Sequence, residues 1–416
     1  MIIRDVIVTP IAFRDPPLLN AAGLHEPFAL RSIVQLVVDG GVVGLGEGNG
    51  SALILERLAT VIPVVVGRSV FDLNGIERAI DQVLALGSDA LARRDRRAVF
   101  APIEVAAHDA QGKILGVPVS DLLGGAVRES VPYSAYLFYK WSAHPDPATG
   151  AIGDADKWGA AMDPEGIVTQ ARGLIDRYGF ESIKLKAGVL PPDQEIAAIR
   201  ALAVEFPGMP LRIDPNGAWS VETAEHVARE VGHLLEYFED PVLGLDGMSE
   251  VHRRTGLPLA TNMCVVAFEQ IPEAVEKQSV QIILGDHHYW GGLRRTRELA
   301  TICETFGIGL SMHSNSHLGI SLAAMTHVAA ASEALAYACD THYPWNRADD
   351  VIVPGALEIR DGSVEVPTVP GLGVELDEDA LERQHRVYRE CGQRERDDAG
   401  YIRRFDPIFD PQLPRF

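Results

Sequence analysis

The chain has 416 residues, 47% of them apolar and 23% charged, which is enough for a barrel plus a smaller domain and describes a soluble globular protein with an ample core. Its formal net charge of −21 argues against nucleic acid or an anionic membrane as partner, so an anionic substrate needs a local positive site. No apolar run approaches the ~20 residues that span a bilayer, the start Met1–Pro10 has no secretion signal, and Cys264, Cys303, Cys339 and Cys391 lie far apart, as free thiols in a reducing cytoplasm do.

Residues 1–128 form the first unit. Alternating apolar residues predict strands over Ile2–Phe13 and Ser32–Gly46, the latter bent at Asp39-Gly40-Gly41, and three helical stretches follow, which makes this an α+β domain. Asn20 to Phe28 is a loop between the strands. Gly44-Leu45-Gly46-Glu47-Gly48 looks like part of a dinucleotide fingerprint, but it follows a hairpin and opens no helix, so it is read as a turn. Residues 139–162, with Pro145, Pro147, Gly150 and Gly153, are an insertion, either a lid or a long loop.

From Val131 onward a different rhythm sets in. Short apolar runs end in a polar residue at near-constant spacing, with amphipathic stretches such as Pro192–Glu205, Val221–Val231, Arg294–Phe306 and Leu318–Ala331 between them. The polar ends are Lys186, Asp214, Glu239, Asn262, Asp286 and His313; adding Val131–Phe138 before and Ala334–Asp340 after gives eight strands. Eight strands alternating with helices over ~250 residues predict a closed parallel barrel of (β/α)8 type, with chemistry at the carboxyl ends of its strands.

Strand alternation puts Lys184 and Lys186 on one face and Ile183 and Leu185 on the other, and Asp214 and Asn216 repeat the pattern, so two amines and a carboxylate share one interior. Lysine and aspartate are rarely buried without a partner or a task. Asp214, Glu239 and Asn262 close three consecutive strands, and hard oxygen ligands that leave room for water and substrate suit Mg²⁺. The histidines His287, His288, His313 and His317 raise a rival zinc reading, but none has a zinc-motif spacing. Asp286 beside His313 fits a carboxylate that holds an imidazole in one tautomer and raises its basicity.

With these residues laid out, the chain resembles the enolase superfamily, and within it the glucarate dehydratase subgroup. The resemblance rests on Lys184-Leu-Lys186, the ligand set Asp214, Glu239 and Asn262, the pair His313 and Asp286, and the segments Asp214-Pro-Asn216-Gly-Ala-Trp, His313-Ser314-Asn315, Asp340-Thr-His342 and Arg396-Asp-Asp-Ala. Asparagine as third ligand marks this subgroup. The resemblance implies an α/β fold in which a modified (β/α)7β barrel (129–350) carries an α+β capping domain, formed by residues 1–128 and completed by the C-terminal segment 351–416.

It further implies a Mg²⁺-dependent hydro-lyase acting on a sugar diacid, D-glucarate or a close epimer such as L-idarate, to give the 5-keto-4-deoxy product. Lys186, His313, Asp286, Lys184 and Asn216 would be catalytic. Asn20, His25, Tyr136, Lys184, Asn216, Asn262, His313, Ser314, Asn315, His342 and Arg396 would contact substrate, with the Arg396 guanidinium gripping the remote carboxylate in a two-pronged pair. A cytoplasmic homo-oligomer is expected. The alternatives are a dehydratase for another aldarate such as galactarate, an acid-sugar epimerase or racemase using the same bases, and a non-catalytic relative, against which the complete set of bases and ligands argues. Asp286-His-His-Tyr-Trp stands where the family has Asp-Pro-His-Phe-Trp, and Ala92–Pro102 also departs from it; both bear on specificity.

Overall fold

The structure, a computed structural model, describes residues 1–416 except 86, 88–89, 147–148 and 152–154. Pro147 and Gly153 of the predicted insertion therefore lie outside the described residues.

Three antiparallel strands, β1 (Ile3–Arg14), β2 (Phe28–Val38) and β3 (Val42–Asn49), form a sheet with β2 in the centre. Helices α1 (Ala52–Val65), α2 (Leu73–Leu84) and α3 (Ala90–Leu115) follow, and Ile3, Val34, Leu36, Leu58, Ile76 and Ile103 are among the residues of the shared core. The run read as a turn, Gly44 to Gly48, is strand: it lies in β3, in register with β2. The glycines are there for packing, because a Cβ on Gly44 or Gly46 would overlap the carbonyl oxygens of Ala106 and Pro102 in α3.

Seven parallel strands in sequence order make the barrel: β4 (Ala135–Phe138), β5 (Ile183–Lys186), β6 (Leu211–Asp214), β7 (Leu235–Glu239), β8 (Leu259–Thr261), β9 (Ile282–Gly285) and β10 (Gly309–Met312). The helices between them include α4 (Pro164–Tyr178), α5 (Pro192–Glu205), α6 (Val221–Val231), α7 (Gly244–Thr255), α8 (Ile271–Glu276), α9 (His287–Trp290), α10 (Leu293–Phe306) and α11 (Gly319–Ala330). Local chemistry sets their ends: Asp163 caps α4 by accepting from Gly166 N, Pro164 starts it, and Gly179 at φ 71° ends it.

Three expectations need correction. The predicted run Val131–Phe138 divides: Ser130–Pro132 pairs antiparallel with Ser363–Glu365 of the C-terminal segment, and only Ala135–Phe138 joins the barrel. Residues 334–340 close the barrel without forming a regular strand, through Ala336 N to Leu310 O (3.1 Å) and Asp340 N to Met312 O (2.9 Å) on one side, and Ser134 N to Cys339 O (2.8 Å) on the other. Helix α11, expected to be amphipathic, is buried along its whole length, because it lies between β10 and the capping strand β3.

The C-terminal segment returns to the first domain. Helix α12 (Glu378–Cys391) packs on β1, and the chain beyond it is tied down by Gln393 Nε2 to Phe28 O (2.8 Å) and Asp397 N to Glu26 Oε2 (2.7 Å), before α13 (Asp398–Ile402). The described part of 139–162 packs down as well: Lys140 Nζ donates to Trp141 O, Asp156 Oδ1 and Gly159 O, and His144 Nε2 meets Asp15 O at 2.7 Å. All four cysteines are free, and no helix among the described residues is long and apolar enough to cross a membrane.

If the glycines of β3 exist for contact with α3, Gly46→Ala must push strand and helix apart. A loss of at least ~2 kcal/mol is expected, within the range for overpacking a core, measured by urea unfolding; an unchanged midpoint would show that the contact yields freely.

Candidate active site

Register places the chemistry. Lys186 at the end of β5 is level with Phe138 of β4 and Asp214 of β6, and Lys184 is level with Arg212. Both lysines point into the barrel and are buried. Lys184 Nζ donates to Glu239 Oε1 and Asp340 Oδ2, each at 2.6 Å, and lies 3.2 Å from Asp214 Oδ2. Lys186 Nζ donates to Asp214 Oδ2 (2.5 Å) and Asn216 Oδ1 (2.6 Å). The Tyr136 ring lies against both amines, 4.6 Å and 6.0 Å from its centroid.

These neighbours set the charges. Burial alone would pull both lysines down, but Asp340 and Glu239 hold Lys184 well above its usual range, and Asp214 does the same for Lys186. Burial would raise the Asp214 carboxyl, yet Lys186 and Lys184 keep it below the usual carboxylate range. Glu239 goes the other way: burial and the charge of Asp214 push it well up. Asp240, buried beside it and accepting from Thr261 Oγ1 and Asn262 N, is pushed up to about 7, by burial first.

The predicted ligand set gathers here. Asn262 Nδ2 donates to Glu239 Oε1 at 2.7 Å, while Glu239 Oε2 and Asp340 Oδ1 are buried acceptor oxygens with no hydrogen-bond donor among the described residues. Orphaned carboxylate oxygens amid an all-oxygen donor set are what a hard divalent cation requires, so these residues fit Mg²⁺. Asn216 (φ 53°) and Asp240 (φ 35°) adopt the left-handed region, a strained backbone that this packing maintains. Asp286, His287 and His288 also bring ligand-type atoms within 4.8 Å of one another. Both Asp286 oxygens are already taken by imidazoles, which disfavours the zinc reading there.

Across the mouth, His313 Nδ1 meets Asp286 Oδ2 at 2.9 Å, which leaves Nε2 as the nitrogen able to accept a proton. The Tyr289 ring stacks on His313 at 5.6 Å. Burial would raise Asp286, but His288 and His313 hold it well below the usual carboxylate range.

One cavity of about 490 Å³ connects the two sides. Lys186, Asn216, Asn262 and His313 line it, with Tyr136, Ser314, Asn315 and His342 along the barrel wall and Asn20, His25 and Arg396 from the capping domain. Lys184, Asp214, Glu239 and Asp286 lie behind that lining. Ser314 Oγ and His342 Nδ1 are 3.2 Å apart, Asn315 Nδ2 donates to Tyr289 OH (3.3 Å), and His25 Nδ1 meets Asp15 Oδ2 at 3.1 Å.

Arg396 is engaged inside the protein at one edge: its Nε donates to both Asp398 oxygens at 3.0 Å and its Nη2 to Oδ2 at 2.8 Å, which leaves the Nη1 end, with no protein acceptor for Nη1 among the described residues, for the expected grip on a remote carboxylate. Sequence reasoning also missed other residues of the site. Asp340 enters the sequence reading as a strand end and in the segment Asp340-Thr-His342 but without a role in the site, although it closes its segment in the same pattern as Asp214 and Glu239. Arg94, on α3, lines the cavity with its guanidinium 5.4 Å over Tyr289; a position on a helix of another domain leaves no trace in the barrel rhythm.

Residues 5–124 match the mandelate racemase / muconate lactonizing enzyme N-terminal domain, and residues 166–380 match the enolase C-terminal domain-like family. The chain belongs to the enolase superfamily. A probable glucarate dehydratase from Streptomyces coelicolor is 51% identical over 430 residues, covering all of this chain and 99% of its own length, which puts this enzyme in the glucarate dehydratase-like subgroup. Among solved structures, an enolase from Mycobacterium smegmatis complexed with tartrate is 57% identical at a TM-score of 0.96, covering 100% of this chain and 98% of its own. An enolase from Pseudomonas fluorescens with bound magnesium, potassium and tartrate is 52% identical at a TM-score of 0.95, covering 100% and 99%.

The lysine at the centre of three carboxylates yields a stability prediction. Lys184→Ala leaves Asp214, Glu239 and Asp340 without their shared cation, and breaking a buried ion pair costs ~3–5 kcal/mol. Urea unfolding in chelator is expected to show a loss of that order; a loss below ~1 kcal/mol would mean that the cluster is already neutral.

Proposed function

We propose that this enzyme dehydrates a sugar diacid, D-glucarate or a close epimer such as L-idarate, to the 5-keto-4-deoxy product. The observation that carries the reading is the pair of opposed bases: Lys186 and the His313–Asp286 dyad flank one cavity above an oxygen-rich, lysine-bearing floor. The relatives support the substrate class, one being named a probable glucarate dehydratase and two having been crystallised with tartrate, itself a hydroxylated diacid. Residues 1–128 and 351–416 are read as the cap that supplies the remote wall, and 129–350 as the barrel that does the chemistry.

The reacting proton sits on the carbon next to a carboxylate and is very weakly acidic. Asp214, Glu239 and Asn262 would hold Mg²⁺, which would supply positive charge where the carboxylate gains negative charge; Lys186 Nζ, paired with Asp214 and Asn216, stands on the same side. Lys184, fixed by Asp340 and Glu239, adds a preorganised cation on the same side. His313 Nε2 takes the proton from one face of the carbon and Lys186 Nζ from the other, and Asp286 stabilises the imidazolium that results. The β-hydroxyl leaves with a proton from His313, as water, and the enol left behind tautomerises to the ketone. Asn20, His25, Tyr136, Ser314, Asn315 and His342 orient the hydroxyls. Arg396 Nη1 and Arg94 face the remote carboxylate. The partner is thus a small-molecule diacid, and the same chain assembles as a cytoplasmic homo-oligomer.

A panel of aldarates incubated with Mg²⁺ tests the reaction: one or more is expected to lose water and yield a ketone seen by mass, activity is expected to vanish in EDTA and return with Mg²⁺, and Asp214→Ala is expected to be beyond rescue. Recovery of only epimerised diacid would make the enzyme an epimerase, and full turnover in EDTA would remove the metal. For the remote wall, Arg94→Ala is expected to raise KM for a six-carbon diacid by ~10-fold or more, the size of a lost charge-assisted contact, with little effect on the matching monoacid; equal effects on both would take Arg94 out of recognition.

A further inference from the structure

Asp286 is shared between two imidazoles, and only one of them faces the cavity. Its Oδ2 meets His313 Nδ1 at 2.9 Å; its Oδ1 meets His288 Nδ1 at 2.8 Å and accepts from the His288 backbone N–H at 2.9 Å. The other ring nitrogen of His288, Nε2, lies 2.9 Å from Arg31 Nη2, 3.1 Å from Ser321 Oγ and 3.2 Å from Glu47 O. A guanidinium nitrogen can only donate, so Nε2 accepts from Arg31, and the single proton of the neutral ring sits on Nδ1, where it is donated to Asp286.

Arg31 is held in turn. Its Nε donates to Glu47 Oε1 at 2.8 Å, and the buried Glu47 carboxylate accepts from Leu318 N and Ser321 N, each at 2.9 Å, at the start of α11. Arg31 belongs to β2 and Glu47 to β3, so a continuous set of hydrogen bonds runs from the capping sheet to His313.

We propose that His288 is a positioning residue for the His313 base: a neutral imidazole, fixed from the capping domain by Arg31, that holds the Asp286 carboxylate aimed at His313 Nδ1. This rests on the reading of His313 as the base. A carboxylate bound by one imidazole can swing about its side-chain torsions; a second Nδ1–H on the other oxygen removes that freedom. With Nε2 accepting from Arg31, His288 presents its Nδ1–H to one Asp286 oxygen and leaves the other oxygen to His313. Docking of the cap and alignment of the base are then one event.

A merely structural histidine would affect both faces of the substrate alike, and this separates the two roles. In heavy water with Mg²⁺, α-proton exchange is followed for two diacids epimeric at the reacting carbon, one served by His313 and one by Lys186. His288→Leu is expected to slow the His313-side exchange by ~10-fold or more, a part of the ~10²–10⁴ that a positioned base contributes, while the Lys186-side exchange stays within about twofold. His288→Asn, whose Nδ2 stands where the imidazole Nδ1 does, is expected to restore most of the loss. Equal losses on both faces, or none on the His313 face, would overturn the proposal. Independently of turnover, histidine ¹⁵N shifts of the unmutated protein, assigned by difference from His288→Asn, are expected to show His288 as the Nδ1–H tautomer. An Nε2–H or doubly protonated ring would overturn it even in a protein that exchanges no diacid proton, the result that would instead refute the reading of the reaction.

Discussion

Two ammonium groups and three carboxylates buried in one barrel are the constraint on which the rest depends. None of these charges survives burial alone. Lys184 is tolerable because Glu239 and Asp340 accept from it, and Lys186 because Asp214 and Asn216 do. The mutual dependence fixes the relative heights of β5, β6 and β7, and it leaves Glu239 and Asp340 each with an oxygen that no donor among the described residues reaches. A cage built this way stores unsatisfied negative potential at the carboxyl ends of its strands, where a cation and a carboxylate substrate can use it. Arg212, one layer deeper and bound to Ser134 Oγ, Glu236 and Ala338 O, closes the barrel below with its own charges matched.

Residues of the barrel line one side of the cavity, and residues of the first domain and the C-terminal segment line the other. Close packing of β3 on α3 through small residues and of β3 on α11 brings Arg31 and Glu47 to the domain boundary, while the tail after α12 delivers Arg396 and Asp398 to the same cavity as Asn20 and His25. This wall is assembled from pieces far apart in the chain, with its polar groups in pairs: Arg396 with Asp398, His25 with Asp15. A protein carrying a net charge of −21 brings Lys186, paired with Asp214, together with Arg94 and the outer end of Arg396 at one cavity.

Most of the barrel was legible because six of its seven strands run into a residue that is expensive to bury, and such residues repeat only when a fold repeats. The features that were not legible share a physical cause. Gly44 to Gly48 carries turn composition, and only the approach of α3 makes it strand. Leu318–Ala331 has enough polar residues to pass as amphipathic, yet one of its faces is covered by the barrel strand β10 and the other by strand β3 of the first domain. Asp398 sits two residues beyond Arg396 in what reads as a solvated charged tail, and its capture of the guanidinium depends on the tail's fold. His288 looks like a spare histidine in Asp286-His-His-Tyr-Trp until Arg31, more than two hundred residues earlier, is placed against it.

The most direct test of the central claim is a crystal structure with Mg²⁺ and a non-reacting sugar-diacid analogue. The account predicts the cation on Asp214, Glu239 and Asn262, one carboxylate of the analogue beside it and Lys184, and the adjacent carbon held between Lys186 Nζ and His313 Nε2 on opposite faces. A cation bound elsewhere, or both bases on one face of that carbon, would contradict it.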